Sequence, residues 1–424
     1  MLRKTLLAVT ALSLTACASL AEKPNEAGLN QGFSLERLDA IGSQIRAEVA
    51  SRQLPGAVLL IARNGKVIYQ DVIGMQDPQA RTPMRADSIF RIASMTKPVV
   101  SVAVMQLVED GKIKLTDPVS RYLPELAGLK VGVEKTDARG KTALEIVPAA
   151  REPTIHDLLR HTSGITYGVF GRSLVKDEYK KVGVDSPNQT NSDTMQKLAT
   201  VPLMFQPGTV WEYSRSTDVL GALLESYSGE SLDQYLDRRI FKPLKMNDTG
   251  FWVADPAKHA RIAQPFDTDP ETNAGVNMPD VRRAPKLLSG GGGLVSTASD
   301  YARFAQMLLN GGELDGVRIL SRKTVEFMTS DHLGDMRGPS LARGAAFLPG
   351  PGYSFGLGFG VRVKEGEAVT PGSVGDYGWG GIYGTYFWVD PKENLVVVWM
   401  SQQIGHRVHY RQLLRDMVYG ALVQ

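Results

Sequence analysis

The chain has 424 residues, long enough for two or three domains or for one large domain with an insertion. Hydrophobic residues make up 43% and charged residues 22%, an ordinary balance for a globular protein with a sizeable core. A formal net charge of +3 is too small to point to a nucleic-acid partner, and a single cysteine excludes a disulfide framework and a cysteine metal site.

The first segment reads as an address. "MLRKTLLAVTALSLTAC" sets Arg3 and Lys4 ahead of an apolar run too short to span a bilayer. Its end, Leu14-Thr15-Ala16-Cys17, resembles a bacterial lipobox. That resemblance implies a lipoprotein signal over residues 1–17, with Cys17 as the lipidated residue. It implies a periplasm-facing protein of the cell envelope that meets the membrane only through its lipid anchor. Ala18 follows where an Asp would favour inner-membrane retention, which points to the outer membrane. Residues 18–33 are expected to form a polar tether.

Ser34 is a predicted N-cap, with Glu36 in the first turn and Leu35, Leu38, Ile41, Ile45 and Val49 at helical spacing. In "GAVLLIARNGKVIYQDVIG" two β-rich runs flank Asn64-Gly65, a hairpin signal because both turn positions need positive φ. From Ser94 to Asp110 the spacing is helical again, with Val100, Val104, Leu107 and Val108 on one face. Residues 112–285 show few alternating runs, carry helical patterns at 155–160 and 217–228, and read as a mostly helical domain. An α/β domain is expected to surround it, from 34–111 and 286–424. Gly290–Gly293 is no P-loop, since no Gly-Lys-Ser/Thr follows, and is expected to make a tight turn near a cleft. Thr297 and Asp300 stand at capping spacing, Gly311-Gly312 closes that helix, strands return after it, and a last helix is expected at about 406–422.

One pair carries chemistry. In "FRIASMTKPVV" Ser94 and Lys97 are three apart in an apolar run, so one helical face would hold both. Burial or a nearby cation would lower the lysine pKa, and a neutral amine could take the Ser94 proton during attack on a carbonyl. The helix N-terminus and the Ser94 N–H would favour an oxyanion. A second Ser-x-x-Lys, Ser173 to Lys176, stands among charged residues and reads as a chance match. His156, His259, His332, His406 and His409 show no metal-ligand spacing, and no Gly-x-Ser-x-Gly elbow occurs. No metal and no cofactor are expected.

Further segments add a resemblance. "LLRHTSGI", "FQPGTVWEYS", "GGGLVSTASDYARF" and "GWGGIYGT" fall in order over about residues 35–420, and together they resemble the serine β-lactamase-like family. That family includes class C β-lactamases, penicillin-binding D-peptidases and family VIII carboxylesterases. The resemblance implies an antiparallel sheet flanked by helices plus a mostly helical domain, with the active site between them. It makes Ser94 the nucleophile and Lys97 and Tyr213 its proton-handling partners. It aligns Trp379-Gly380-Gly381 with the family's Lys-Thr-Gly strand, so the Ile382 N–H becomes the second oxyanion donor. The two glycines are expected to let backbone approach the substrate. It also makes His161 structural.

Two departures from the family pattern bear on substrate. Where Tyr-x-Asn is usual the chain reads Tyr213-Ser214-Arg215, and Arg215 is expected to salt-bridge elsewhere, to lower Lys97, or to bind an acidic substrate. Ser216 is expected to cover some of the lost contact. Where the lysine of Lys-Thr-Gly would meet a substrate carboxylate, Trp379 offers an apolar wall with one N–H. Both features, by resemblance, favour a carboxylesterase acting on small ester or amide substrates, with side activity on β-lactams. The rival readings are a β-lactamase or D-peptidase of the envelope, a transacylase, and a non-catalytic binding protein on the same fold. The last would be expected to lose Ser94, Lys97 or Tyr213.

Overall fold

The computed structural model describes residues 28–337 and 350–424. The expected signal at 1–17, its Cys17 and the tether as far as residue 27 lie outside the described residues. The remainder of the expected tether is ordered differently. Leu29–Asn30 pairs with Phe33–Ser34, and Phe33 is buried in the core that the first helix helps to build.

Ser34 caps the helix Leu35–Ala50, its hydroxyl accepting from the Arg37 N–H at 3.4 Å. Leu38, Ile41 and Ile45 are buried, as their spacing requires, while Leu35 in the first turn stays exposed. Asn64 and Gly65 take φ of +52° and +74°, and Arg63 faces Lys66 across this two-residue turn.

The hairpin is part of something larger. Leu395–Ser401 pairs along Gly56–Arg63, from Leu395 opposite Arg63 to Ser401 opposite Ala57. This joins the two ends of the chain in one antiparallel sheet of eight strands. Its order is Tyr353–Phe355, Gly360–Arg362, Tyr377–Gly380, Tyr386–Asp390, Leu395–Ser401, Gly56–Arg63, Lys66–Asp77 and Thr82–Pro83. The central strands are apolar at nearly every position because both faces are covered. Leu59, Ile61, Val397 and Trp399 pack against Leu35–Ala50 and Arg407–Ala421. Val58, Leu60, Val396 and Val398 face the other way, towards Ala298–Leu309. The architecture is thus α/β, an antiparallel sheet flanked by helices.

Thr96–Glu109 differs from its expected pattern. The spacing predicts one apolar face, yet every residue from Thr96 to Leu107 is buried. The helix runs through the interior, with Ser216–Ser228 packed against it. The middle of the chain holds Ile155–Leu159, Leu174–Val182, Asn191–Leu198 and Ser216–Ser228. It also holds a hairpin, Lys130–Thr136 with Thr142–Pro148, which no alternating run announces. The second of these strands buries no residue fully, so its sequence carries no two-residue period. Leu158, Trp211, Leu220 and Leu223 of the middle segment share one continuous core with Val58 and Val398 of the sheet.

Candidate active site

Ser94 lies in a single 3-10 turn, Ala93–Met95, directly before the helix Thr96–Glu109. Ala93 has φ of +44°, an uncommon conformation for a residue with a side chain. Its surroundings impose it. The Ile92 carbonyl accepts from the Met95 N–H at 3.0 Å and from the Thr385 hydroxyl at 3.2 Å. The Ile92 N–H donates to the Leu294 carbonyl at 3.0 Å. Strain of this kind costs roughly 1–3 kcal/mol and persists only where neighbouring structure holds it.

Lys97 is fully buried. Its Nζ donates to the Gly291 carbonyl at 2.6 Å and to the Tyr167 hydroxyl at 3.1 Å, and lies 3.4 Å from Ser94 Oγ. It also stands 4.7 Å from the centre of the Tyr213 ring and hydrogen-bonds that side chain. The expected depression of the lysine is overturned. Burial does push Lys97 down, but Tyr167, Tyr213 and Asp218 outweigh it and hold the amine above its ordinary value. At neutral pH the group is an ammonium.

Two residues that the motifs did not single out complete this environment. Tyr167 follows His-Thr-Ser-Gly by three positions and shares a hydrogen bond with Lys97. Burial above all pushes its hydroxyl up to about 12, so it remains a phenol. Asp218, buried in the first turn of Ser216–Ser228, accepts from the Ser289 hydroxyl at 2.5 Å and from the Gly291 N–H at 3.1 Å. Asp218 thereby orients the Gly290–Gly293 loop so that the Gly291 carbonyl meets Lys97. A Cβ on Gly290 would sit 2.5 Å from the Thr217 carbonyl, and one on Gly291 2.6 Å from the Asp218 carboxylate. Only glycine lets the loop pass there.

Tyr213 stands among aromatic rings, with His161 at 5.1 Å, Trp379 at 5.5 Å and Trp211 at 6.3 Å between centres. The Trp379 indole N–H donates to the Tyr213 hydroxyl at 3.4 Å. His161 is buried beneath Tyr213, and its Nδ1 shares a hydrogen bond with Ser214 Oγ at 2.9 Å. Burial, aided by the charge of Lys97, pushes the imidazole well below its ordinary value, so it is neutral. Ser214, Ser216 and Ser163 form a buried hydroxyl chain with links of 2.7 and 2.8 Å, which uses the Ser216 hydroxyl away from the cleft.

Arg215 does not line the cleft. Its Nε donates to Asp185 at 2.5 Å, its Nη1 lies 3.4 Å from Asp218, and its guanidinium covers the Tyr167 ring at 5.3 Å. The acid-binding and lysine-lowering roles raised for it therefore have no geometry behind them. The second Ser-x-x-Lys is structural: Ser173 caps Leu174–Val182, and Lys176 pairs with Glu212 at 2.9 Å. That lysine is buried, not on the solvated face its charged neighbours implied.

Ser94, Tyr213, Trp379, Gly380 and Ile382 come together in one cleft of about 590 Å³. Exposed valines rim it, with Val169 at 59%, Val369 at 70% and Val408 at 58% exposure, which gives the mouth an apolar edge. The two glycines also make room for neighbours within the fold. A Cβ on Gly380 would overlap the Arg411 guanidinium, and one on Gly381 would meet the Ile92 carbonyl at 2.5 Å. The turn after Trp379 is thus tied to the strand that leads into Ser94.

A family model described as Beta-lactamase matches residues 41–415. The chain belongs to this family. Esterase EstB of Burkholderia gladioli is 33% identical over 424 residues, covering 94% of this chain and 98% of that one. An uncharacterized protein of Mycobacterium tuberculosis (strain CDC 1551 / Oshkosh) is 37% identical over 370 residues, covering 86% of this chain and 90% of that one. Among solved structures, EstCE1, a hydrolase with promiscuous acyltransferase activity, aligns with a TM-score of 0.74 at 27% identity. That alignment covers 91% of this chain and 99% of the other. The β-lactamase fold expected from the motifs is the fold of this family member.

Proposed function

We propose that this protein is a serine hydrolase of carboxylic esters that works through an acyl-enzyme on Ser94. The observation that carries this reading is one cleft in which Ser94 meets Lys97 at 3.4 Å beside Tyr213, with Trp379 as its wall. Esterase EstB, similar along nearly the whole chain, supports it.

Because Lys97 is an ammonium, the proton acceptor is assigned to Tyr213. The Lys97 charge stands 4.7 Å from the centre of the Tyr213 ring, beside the oxygen that is to carry the proton. Tyr213 opens on the cleft with Ser94, whereas Tyr167 stays protonated and holds the lysine. In the first half-reaction the Tyr213 oxygen takes the Ser94 proton and Oγ attacks the ester carbonyl. The Ser94 and Ile382 N–H groups receive the oxyanion, and the leaving alkoxide recovers the proton from Tyr213. Water repeats the sequence on the acyl-enzyme and releases the acid. The apolar rim of Val169, Val369 and Val408 fits substrates with an apolar acyl or alcohol part.

Initial rates on a short-chain p-nitrophenyl ester and on a chromogenic cephalosporin, with Ser94→Ala as the blank, test the reading. A faster ester rate that disappears in Ser94→Ala is expected. A faster cephalosporin rate would move the protein to the lactamase side, and an unchanged Ser94→Ala rate would remove the nucleophile.

The same apolar rim favours a second reading, transfer of the acyl group to an alcohol instead of water. The promiscuous acyltransferase activity of the similar EstCE1 supports it. Product analysis with an added primary alcohol separates the two outcomes. We also propose, from the N-terminal sequence, a lipid anchor at Cys17 and an outer-membrane location. Cys17→Ser should move the protein from the membrane to the soluble fraction, and unchanged fractionation would count against the anchor.

A further inference from the structure

Arg407, Arg411 and Arg415 stand four residues apart on the helix Arg407–Ala421, and all three line the cleft. Arg415 is neutralised, its Nη1 and Nη2 donating to the two oxygens of Asp376 at 2.9 and 3.1 Å. Arg407 turns back to the Ile404 carbonyl at 2.7 Å. Arg411 is different. Among the described residues no carboxylate pairs with it, and its buried Nε has no hydrogen-bond partner. Its Nη2 donates to the Gly381 carbonyl at 3.0 Å, and its guanidinium lies 5.5 Å from the centre of the Tyr386 ring. The approach depends on Gly380, where a Cβ would occupy the place of the guanidinium.

The Gly381 C=O and the Ile382 N–H belong to one planar trans peptide, so they point in opposite directions. A cation on the oxygen draws electron density from the nitrogen. The N–H becomes a stronger donor, and its direction is fixed from behind. We infer that Arg411 is a positioning residue for the oxyanion site, its guanidinium holding and polarising the Gly381–Ile382 peptide through the Gly381 carbonyl. This rests on the reading of the Ser94 and Ile382 N–H groups as oxyanion donors. It accounts for a half-buried guanidinium with no carboxylate beside it, since an anion there would cancel the field at the peptide. It also gives Gly380 a reason to lack a side chain.

The test compares wild type with Arg411→Met, Arg411→Lys and Arg411→Gln on p-nitrophenyl butyrate. Inactivation by a fluorophosphonate and the infrared carbonyl stretch of the acyl-enzyme are followed in parallel. Arg411→Met should lower kcat about tenfold to a hundredfold, less than loss of a donor itself, with KM within about threefold. Phosphonate inactivation should slow by a similar factor, and the carbonyl stretch should move to higher wavenumber. Arg411→Lys should recover part of each loss. If Arg411→Met does not fold, Arg411→Gln carries the test, since it keeps an N–H donor without the charge and should still lose kcat. A folded neutral variant with unchanged kcat and unchanged stretch overturns the inference. So does a rise in KM confined to carboxylate-bearing esters, which would make Arg411 a substrate contact. Wild type left unlabelled at Ser94 by the phosphonate fails the serine reading itself, before Arg411 is altered.

Discussion

Lys97 and its neighbours set the chemistry at the scale of single residues. In the proposed reaction an ammonium buried among the oxygens of Ser94, Tyr167, Tyr213 and Gly291 serves as a fixed charge, and the Tyr213 oxygen carries the proton. Tyr213→Phe should therefore lose roughly 10²–10⁴ in kcat, the range for a general base. Tyr167→Phe removes a hydrogen bond to Lys97 at 3.1 Å but no proton acceptor, and should lose about tenfold or less. Steady-state rates on one ester compare the two, and equal losses would refute the division of roles. Lys97→Met should fall with Tyr213→Phe, since negative charge developing at the Ser94 and Tyr213 oxygens then has no cation beside it. A Lys97→Met enzyme near wild-type rate would show that the ammonium is not needed.

Elements place these residues through contacts that are distant in sequence. The Gly290–Gly293 loop is the clearest case, held by Asp218 on one side and presenting a carbonyl to Lys97 on the other. Gly291→Ala would push a methyl group against the Asp218 carboxylate and displace that carbonyl. The expected outcome is a kcat about tenfold lower with the circular dichroism spectrum kept, because a misplacement near 1 Å is enough to cost this much. An unchanged rate would show that the loop does not orient the lysine. Thr297 offers a contrast within the same region. It caps Ala298–Leu309 by accepting from the Asp300 N–H at 3.1 Å, and Thr297→Ala should lower stability by about 1 kcal/mol while leaving kcat alone. A denaturant midpoint and a rate on the same variant check both halves.

Acid sensitivity belongs to the whole molecule. Burial, with Arg160 nearby, holds His156 down at about 4, and burial also lowers His161 and His332. Their folded values lie below the unfolded one near 6.5, so the unfolded chain binds more protons there. Stability from these neutral rings is complete above about pH 6.5 and is lost as the pH falls towards 4. Asp157 adds a second, lower window. Burial opposes its ionisation, but Arg151, Thr154 and Thr162 outweigh that and set its carboxyl at about 2. Its contribution, about 2 kcal/mol, is present above pH 4 and is lost between pH 4 and 2. Urea midpoints should fall already between pH 7 and 5, and less steeply in His156→Gln. A flat midpoint across that range would refute the histidine part.

The amino-acid sequence alone determined the local devices and the chemistry-bearing pair. Ser34, Asn64-Gly65 and Thr297 act through neighbours a few positions away, so their caps and turn are legible in the order of residues itself. The spacing of Ser94 and Lys97 is legible for the same reason, and the motif context points to Tyr213 and Trp379. What lies beyond short range was decided by tertiary structure. An apolar run predicts burial and hence a depressed lysine, whereas the oxygens of Tyr167, Asp218 and Gly291 arrive from segments 70 or more residues away. Arg215 reads as a residue of the cleft because its carboxylate partner Asp185 is 30 residues back along the chain. That Gly380 makes room for Arg411 is invisible locally, because the C-terminal helix brings that residue to it. Hydrogen bonding at short range writes itself into sequence as pattern; charge balance in a buried site depends on which distant groups the fold makes neighbours.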